Sequence, residues 1–485
     1  MAPGKEGGAR TDSQGRKARK MHNHRKGTPH GQIDFEHGSV RVNLARAALP
    51  MLVAQILSLL YSIVDRIYIG RIPGVGTMAL AGIGICFPII ILINAFTGLF
   101  SQGGAPLCAM ERGRGNRDRA EFIMNSSFFL LTAGGIALMA VGYAAGRPLL
   151  KAFGASEEIL GYAMQYLTIY LLGTIPFMIS TGMNPYINAQ GFATTGMMTV
   201  FLGAAANIVL DPVFIFVFGL GIRGAAIATV ISQFLSAGYV LLFLTGGTAE
   251  LKLRVLRPSA LEPALLADMI GLGTINFIMQ FTNSCVAMVC NQTLSLYGGA
   301  LAISVYTIIS SVRQMLDVPL GALASGAEPM MSFSYGSGKY GRLKEVIRLF
   351  AAAGVVYTLA VWALIFITPA SFIRLFTPDE ELVRAAVPSL HIYYFAFVFQ
   401  AFQYTAQHTF KALNRKKKAI FFSLFRKAIM VIPLTLILPR IGFGVTGVFM
   451  AEPISNVIGG MASFSTMYFT LYRKLGSGPE PGAEH

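Results

Sequence analysis

Charge is what this chain has least of. Asp, Glu, Lys and Arg make up 13% of the 485 residues, about half the share an ordinary soluble chain carries. So few charges cannot cover two or three water-soluble domains, which excludes a cytosolic enzyme. Cysteine is also scarce: Cys86, Cys108, Cys285 and Cys290 lie in or at the ends of apolar stretches, without the spacing of a zinc site, and read as small buried thiols. Neither His-Glu-x-x-His nor Gly-x-Ser-x-Gly occurs, so no catalytic constellation stands out. The 52 glycines and 22 prolines lack a collagen period. The first long apolar segment begins near Leu49, too late and too long for a secretory signal peptide. With 54% hydrophobic residues and a mean hydropathy of +0.58, the chain reads as a polytopic membrane protein.

The net charge of +16 does not indicate nucleic acid. A nucleic-acid binder interleaves Lys and Arg with aromatics on one face, whereas here the bases fall between apolar segments. Runs of about 20 apolar residues occur twelve times. They cover 48–70, 78–108, 122–145, 160–182, 195–218 and 222–244, then 264–296, 299–333, 345–368, 388–412, 418–438 and 443–472. With the N-terminus inside, inward segments hold 30 Lys and Arg and outward segments 7, with Arg66 and Arg313 within spans. Both termini are therefore expected to be cytoplasmic. The expected order is a disordered basic tail (1–47), an N-lobe (48–246), a cytoplasmic linker (247–263), a C-lobe (264–473) and a short cytoplasmic tail (474–485). The first tail holds His22, His24, His30 and His37 without the fixed spacing of a metal site.

The two halves match at one offset. Gly103, Pro106, Gly113, Gly115 and Arg119 recur as Gly326, Pro329, Gly336, Gly338 and Arg342, each 223 residues later. Gly219, Gly221, Gly224, Ala228 and Ser232 recur as Gly442, Gly444, Gly447, Ala451 and Ser455, and Gly76 with Ala79 as Gly299 with Ala302. Six spans per repeat make the repeats parallel. Such lobes bracket a cavity that opens to either side in turn, which points to a transporter.

Intramembrane carboxylates are costly and read as functional. Asp65, Asp211 and Thr229 fall roughly 10–15 Å below the outer surface by helical rise, and Asn207 shares a helix face with Asp211. This all-oxygen set suits a hard cation such as Na⁺. A carboxylate pair suits protons equally. At the repeat offset the four positions become Met288, Met430, Leu434 and Glu452, so the cluster belongs to the first lobe alone. The second lobe has Asp317, expected to pair with Arg313 four residues away, Glu328 near the cytoplasmic end, and Glu452. On the tenth span, Tyr394, Gln400, Gln403, Tyr404 and Gln407 suit either cavity lining or contacts between helices. Pro50 lies fifteen residues before Asp65 and permits a bend.

These segments resemble the multidrug and toxin extrusion (MATE) family, in its bacterial multidrug-export branch, over about residues 40–475. The resemblance rests on Asn207 to Phe216 with Asp211-Pro212, on Gly219 to Gln233 with Thr229, and on Pro50 with Val64-Asp65. Gln190-Gly191, Gly326 to Pro329 and Ser334 to Gly336 also fit. It implies an all-α protein of twelve transmembrane helices in two parallel six-helix lobes around a central cavity. It also implies export of cationic amphipathic compounds in exchange for Na⁺ or H⁺, with Asp65, Asn207, Asp211 and Thr229 as the cation site and Pro50 as the bending residue. Glu328 stands where Gln is more usual, and the acid that some members carry on span 7 is missing, Gln280 and Asn283 being the nearest polar groups. Glu452, Asp317 and Glu328 remain for a second-lobe site, and Gln280, Asn283, Tyr394, Gln403 and Tyr404 for the cavity lining. The expectation is a non-enzymatic monomer in the bacterial inner (plasma) membrane, with no cofactor beyond the coupling ion. Its partners are small organic cations and the lipid bilayer, not nucleic acid. The competing reading, a flippase of lipid-linked saccharides, requires cavity bases to hold pyrophosphate, and Arg313 reads as the only base well inside a span.

Overall fold

The computed structural model describes residues 31–257 and 261–476, and among these it is helical, with no strand. Twelve helices follow the apolar runs. The first six are α1 (Val40–Gly70), α2 (Gly76–Gly113), α3 (Arg117–Ala152), α4 (Glu157–Ala189), α5 (Ala193–Val217) and α6 (Gly221–Thr245). A 74-residue stretch, Pro263–Gly336, is two helices meeting at Gly299, whose φ of 61° no helix adopts; they are α7 (263–298) and α8 (300–336). Then come α9 (Tyr340–Ile367) and the bent α10 (Glu380–Tyr394 and Val398–Ala412, 50° apart). The last two, α11 (416–441) and α12 (Gly444–Thr470), are separated by Gly442 and Gly444 at φ 111° and 52°. The architecture is the expected two-lobed, twelve-helix bundle.

The repeated glycines do two kinds of work. Gly219 and Gly221 (φ 65° and 55°) turn the chain between α5 and α6 as Gly442 and Gly444 do between α11 and α12, and Gly115 and Gly338 (φ 78° and 70°) end α2 and α8. Only glycine takes such dihedrals without strain. Gly113 and Gly336 instead permit close approach of the lobes. A Cβ on Gly113 would collide with the Phe333 carbonyl, and one on Gly336 with the Met110 carbonyl. These contacts exchange under the 223-residue offset, the signature of a two-fold interface. The arginines of the motif obey the same symmetry. Arg119 donates to Glu262 at 2.6 Å just before α7, and Arg342 donates to the Gly38 and His37 carbonyls at 2.8 and 2.9 Å just before α1. The lobes thus close on each other at the end of the bundle that carries the Lys- and Arg-rich connections, here called the basic end.

Described structure is present before the expected tail boundary of 47. The helix α1 starts at Val40, and residues before it are docked. Ile33 N–H donates to the Gly191 carbonyl at 2.9 Å, Gln32 Nε2 to the Gln190 carbonyl at 2.8 Å, and Phe35 is buried against Phe333. The reason is local: Ile33, Phe35 and Val40 are the only strongly apolar residues of the segment, and they reach the core. His37 is described and bonds Asp34 at 3.1 Å; His22, His24 and His30 lie outside the described residues. The connection after α6 is also pinned, by Leu251 N–H on Gln190, Lys252 N–H on Glu121 and Arg254 N–H on Asn125, at 2.7–2.9 Å. All four cysteines are free, three of them buried.

Candidate functional site: a cavity with an acidic and a basic wall

Between the lobes lies a cavity of about 1340 Å³. Its first-lobe wall gathers the residues that the sequence singles out. On α5, Asn207 Nδ2 lies 3.3 Å from Asp211 Oδ1 and 3.4 Å from Thr229 Oγ1 of α6, while the Thr229 hydroxyl donates to the Ala225 carbonyl at 3.0 Å. Asp65 of α1 lines the same wall, its Oδ1 buried without a partner. Two carboxyls in one buried cluster suit a shared proton or a cation held between them, because neither anion has a hydrogen to offer. Asp65, Asn207 and Thr229 line the cavity; Asp211 is fully buried behind them.

Three oxygens of this cluster are buried without a hydrogen-bond partner: Asp65 Oδ1, Asn207 Oδ1 and Asp211 Oδ2. Buried polar atoms are normally satisfied. Three orphans in one place, all hard oxygen acceptors, fit a small hard cation or a proton. Arg66 also lines the cavity and stacks on Phe87, 4.8 Å from the ring centre. The helix α5 widens into a π-helical turn at Val213–Val217, directly after Pro212, which has no N–H to continue the ladder.

The second-lobe wall differs from expectation. Arg313 does pair with Asp317, at 3.4 Å, but the same guanidinium also bonds Glu452 and donates to Tyr393 Oη at 2.6 Å. Glu452 is no free acid. Arg426 Nη1 donates to it at 2.8 Å and Lys427 Nζ reaches both its oxygens at 3.2 and 3.3 Å, so three cations converge on one carboxylate. Asp317 accepts a further bond from Gln400 at 2.6 Å. Nearer the basic end, Glu328 pairs with His408 and Lys411, each at 3.0 Å, and Lys411 also donates to Gln102 of the other lobe at 2.9 Å.

Two readings of the sequence are corrected here. Arg313 is not the only base well inside a span. Arg426 and Lys427 lie eight and nine residues into the apolar run 418–438, on α11, yet the orientation count places them in an inward connection; both are buried and both line the cavity, as does Lys411. A charge count by segment assigns bases to loops and misses those that turn inward. Tyr394 does not line the cavity. It is fully buried against Tyr393 and Phe397, and Tyr393, one residue and about 100° earlier on the helix, takes the lining position. Gln280, Asn283, Gln403 and Tyr404 do line it.

Asn184 and Asn188 of α4 are lining residues that the sequence reading passes over. Asn184 Nδ2 donates to Thr199 Oγ1 at 2.6 Å, Asn188 donates to Asn184 at 3.0 Å, and the Asn188 amide oxygen is an orphan. Their spacing of four, which places them on one face, is the signal that would have found them.

A bundle of two related lobes enclosing a charged, membrane-depth cavity defines a polytopic membrane transporter fold. The MatE family model matches residues 50–213 and 276–437, one segment in each lobe, and the chain belongs to this family. Among curated relatives, Multidrug export protein MepA of Staphylococcus aureus (strain bovine RF122 / ET3-1) is 23% identical over 438 residues, covering 90% of this chain and 95% of its own. Among solved structures, the outward-facing conformation of a multidrug resistance MATE family transporter of the MOP superfamily superposes with a TM-score of 0.84 at 22% identity, over 93% of this chain and 100% of that one. A MOP superfamily transporter from Pyrococcus furiosus Vc1 (DSM3638), described by a reversed polarity of its binding pocket that suggests a different function, also scores 0.84 at 22% identity, over 93% and 99%.

Proposed function

We propose that the protein is a secondary active exporter of amphipathic organic compounds, driven by Na⁺ or H⁺ entering at the first-lobe carboxylates. The observation that carries this reading is the set of three unpartnered buried oxygens, Asp65 Oδ1, Asn207 Oδ1 and Asp211 Oδ2, beside Thr229 at the wall of the central cavity. The multidrug-export function in the name of the staphylococcal relatives supports the direction and the breadth of substrate. Cationic compounds are received by Asp65 and by ring faces such as Tyr404, which attract cations.

With the Lys- and Arg-rich end on the cytoplasmic side, a bundle closed there faces outward. Coupling needs the ion to bind the two conformations with different affinity. Asp65 sits on α1, which packs along α5, the helix of Asp211, and also meets α8 of the other lobe at Gly326. A bend of α1 at Pro50 when the lobes open is what would move one carboxyl relative to the other. Pro50, inside α1 and close to where Gly326 of α8 meets Ala47 and Ala48, lets the helix bend without breaking a further backbone bond.

The test is uptake or efflux of ethidium by proteoliposomes under separately imposed Na⁺ and H⁺ gradients, for the wild type beside Asp65→Asn and Asp211→Asn. The expected result is gradient-driven transport in the wild type and at least about a hundredfold loss in both variants, with monodisperse protein throughout. Transport indifferent to both gradients, or retained by both variants, would remove the site from the mechanism.

A second reading, flipping of a lipid-linked saccharide, is favoured by one observation: Arg313, Lys411, Arg426 and Lys427 all line the cavity. Complementation of a flippase-deficient strain separates it from export, which instead lowers the drug susceptibility of an expressing strain.

A further inference from the structure

The two walls of the cavity are related by the repeat and opposite in charge. Where the first lobe places Gly203 and Ala204 on α5, the second places Arg426 and Lys427 on α11; where the first has Thr229, the second has Glu452. Conversely Asp65, Asn207 and Asp211 become Met288, Met430 and Leu434. Each lobe thus carries its own polar cluster, one built on Asp65 and Asp211 and the other on three bases around Glu452 and Asp317, and the two coincide at the offset only at Thr229 and Glu452.

The basic cluster holds more bases than carboxylates. Arg313, Arg426 and Lys427 face Glu452 and Asp317, three basic groups against two acids at membrane depth. Buried basic groups at that depth are costly to leave without partners. Arg426 is 8% exposed, and its Nε is buried without a partner. The remaining guanidinium contacts, to Glu452 and to Asn456 at 2.8 Å, fix the side chain. Gly459 of α12 makes room for its stem, since a Cβ there would come within 3.0 Å of Arg426 Cγ. The group is held in place with donor capacity to spare.

We infer that this second-lobe wall is an anion site, which receives a carboxylate or phosphate group of an amphipathic substrate through Arg426, Lys427 and Arg313. The substrate class of the transporter then includes anionic and zwitterionic amphiphiles beside the cations, an inference that rests on the cavity being the substrate site. A planar guanidinium beside an ammonium is the natural pair for carboxylate or phosphate oxygens. An anion docked there gives the unpartnered Arg426 Nε an acceptor. Two sources offer this group, a soluble aromatic acid and an anionic lipid headgroup.

Binding to the purified full chain decides the matter without any gradient. Fluorescein, an aromatic carboxylate, is titrated by fluorescence anisotropy against the wild type, the double variant Arg426→Gln with Lys427→Gln, and the charge-conserving Lys427→Arg, with ethidium as the cationic control. The expected result is fluorescein binding to the wild type and to Lys427→Arg, weakened at least about tenfold in the double variant, the loss of one charge-assisted hydrogen bond. Ethidium binding should be unchanged or tighter. Translocation of fluorescently labelled phosphatidate in proteoliposomes identifies the source. Acceleration lost in the double variant assigns a lipid phosphate; no acceleration beside intact fluorescein binding assigns a soluble anion.

The inference is overturned if both anions respond to the double variant as to the wild type, or if the wild type binds ethidium and neither anion. If the double variant does not fold, Lys427→Gln against Arg426→Lys carries the comparison, and only the charge-removing change should weaken fluorescein. Failure of the antiport reading would look different. Ethidium transport would ignore both gradients while these binding constants stood.

Discussion

Glu452 shows what one side chain can decide in a low-dielectric cavity. It is 4% exposed and is the shared counter-ion of Arg313, Arg426 and Lys427. Replacing it by Gln keeps the shape and removes the charge, leaving Arg426 and Lys427 without a carboxylate and Arg313 with Asp317 alone. Breaking a buried ion cluster by removing one partner costs about 3–5 kcal/mol, so Glu452→Gln should lower the unfolding temperature of the purified protein markedly. Asp317→Asn, which leaves Glu452 in place, should lower it less. Equal shifts for the two, measured by thermal unfolding in detergent, would contradict the assignment of Glu452 as the centre of the cluster. In the first lobe, Asn207→Ala removes the amide that bridges Asp211 and Thr229 and should weaken ion coupling while leaving ethidium binding in place.

The first-lobe cluster was legible residue by residue. Acids and amides are rare inside apolar runs, and the spacing of Asn207 and Asp211 puts both on one helix face. The second-lobe cluster was legible only in part. Arg313 and Asp317 announce themselves by their spacing of four, but Glu452 and Tyr393 reach them from α12 and α10, and no periodicity in one segment reports a contact between segments. Arg426 and Lys427 were visible inside an apolar run, but their charge suggested the connection beside it. For a base within eight or nine residues of a span end, sequence alone does not fix whether the side chain returns to the surface or turns to the cavity.

At the scale of helices, the repeated glycines carry the architecture. Gly113 and Gly336 are the points where α2 and α8 approach closely enough to forbid a Cβ. Their matched recurrence in the sequence disclosed the two related lobes, though not the fact that the same residues form the contact between them. Alanine at either position should push the lobes apart at the basic end. Spin labels at Arg114 and Arg348 would report it as a longer and broader distance distribution in Gly113→Ala and Gly336→Ala than in the wild-type background. An unchanged distribution would mean that the closure does not depend on these contacts. Helix ends were less legible than helix centres. The break between α7 and α8 and the start of α1 at Val40 depend on the dihedral of Gly299 and on the docking of Ile33 and Phe35, which hydropathy does not register.

The whole molecule is a two-fold frame with unlike charges on its two walls. Under the proposed function such a division would give the first lobe an ion to exchange and leave the second to recognise another part of the substrate. Both walls enclose the same cavity, so a compound bridging them feels either lobe's state, and binding, coupling and selectivity become separable properties. The most direct test compares two modes of transport in one variant, Asp211→Asn in proteoliposomes. Exchange of labelled for unlabelled ethidium at equilibrium needs binding and alternating access; accumulation against a gradient needs the coupling ion as well. The account predicts that Asp211→Asn retains exchange and loses gradient-driven accumulation. Loss of both modes together, or retention of both, would contradict the placement of ion coupling in the first lobe.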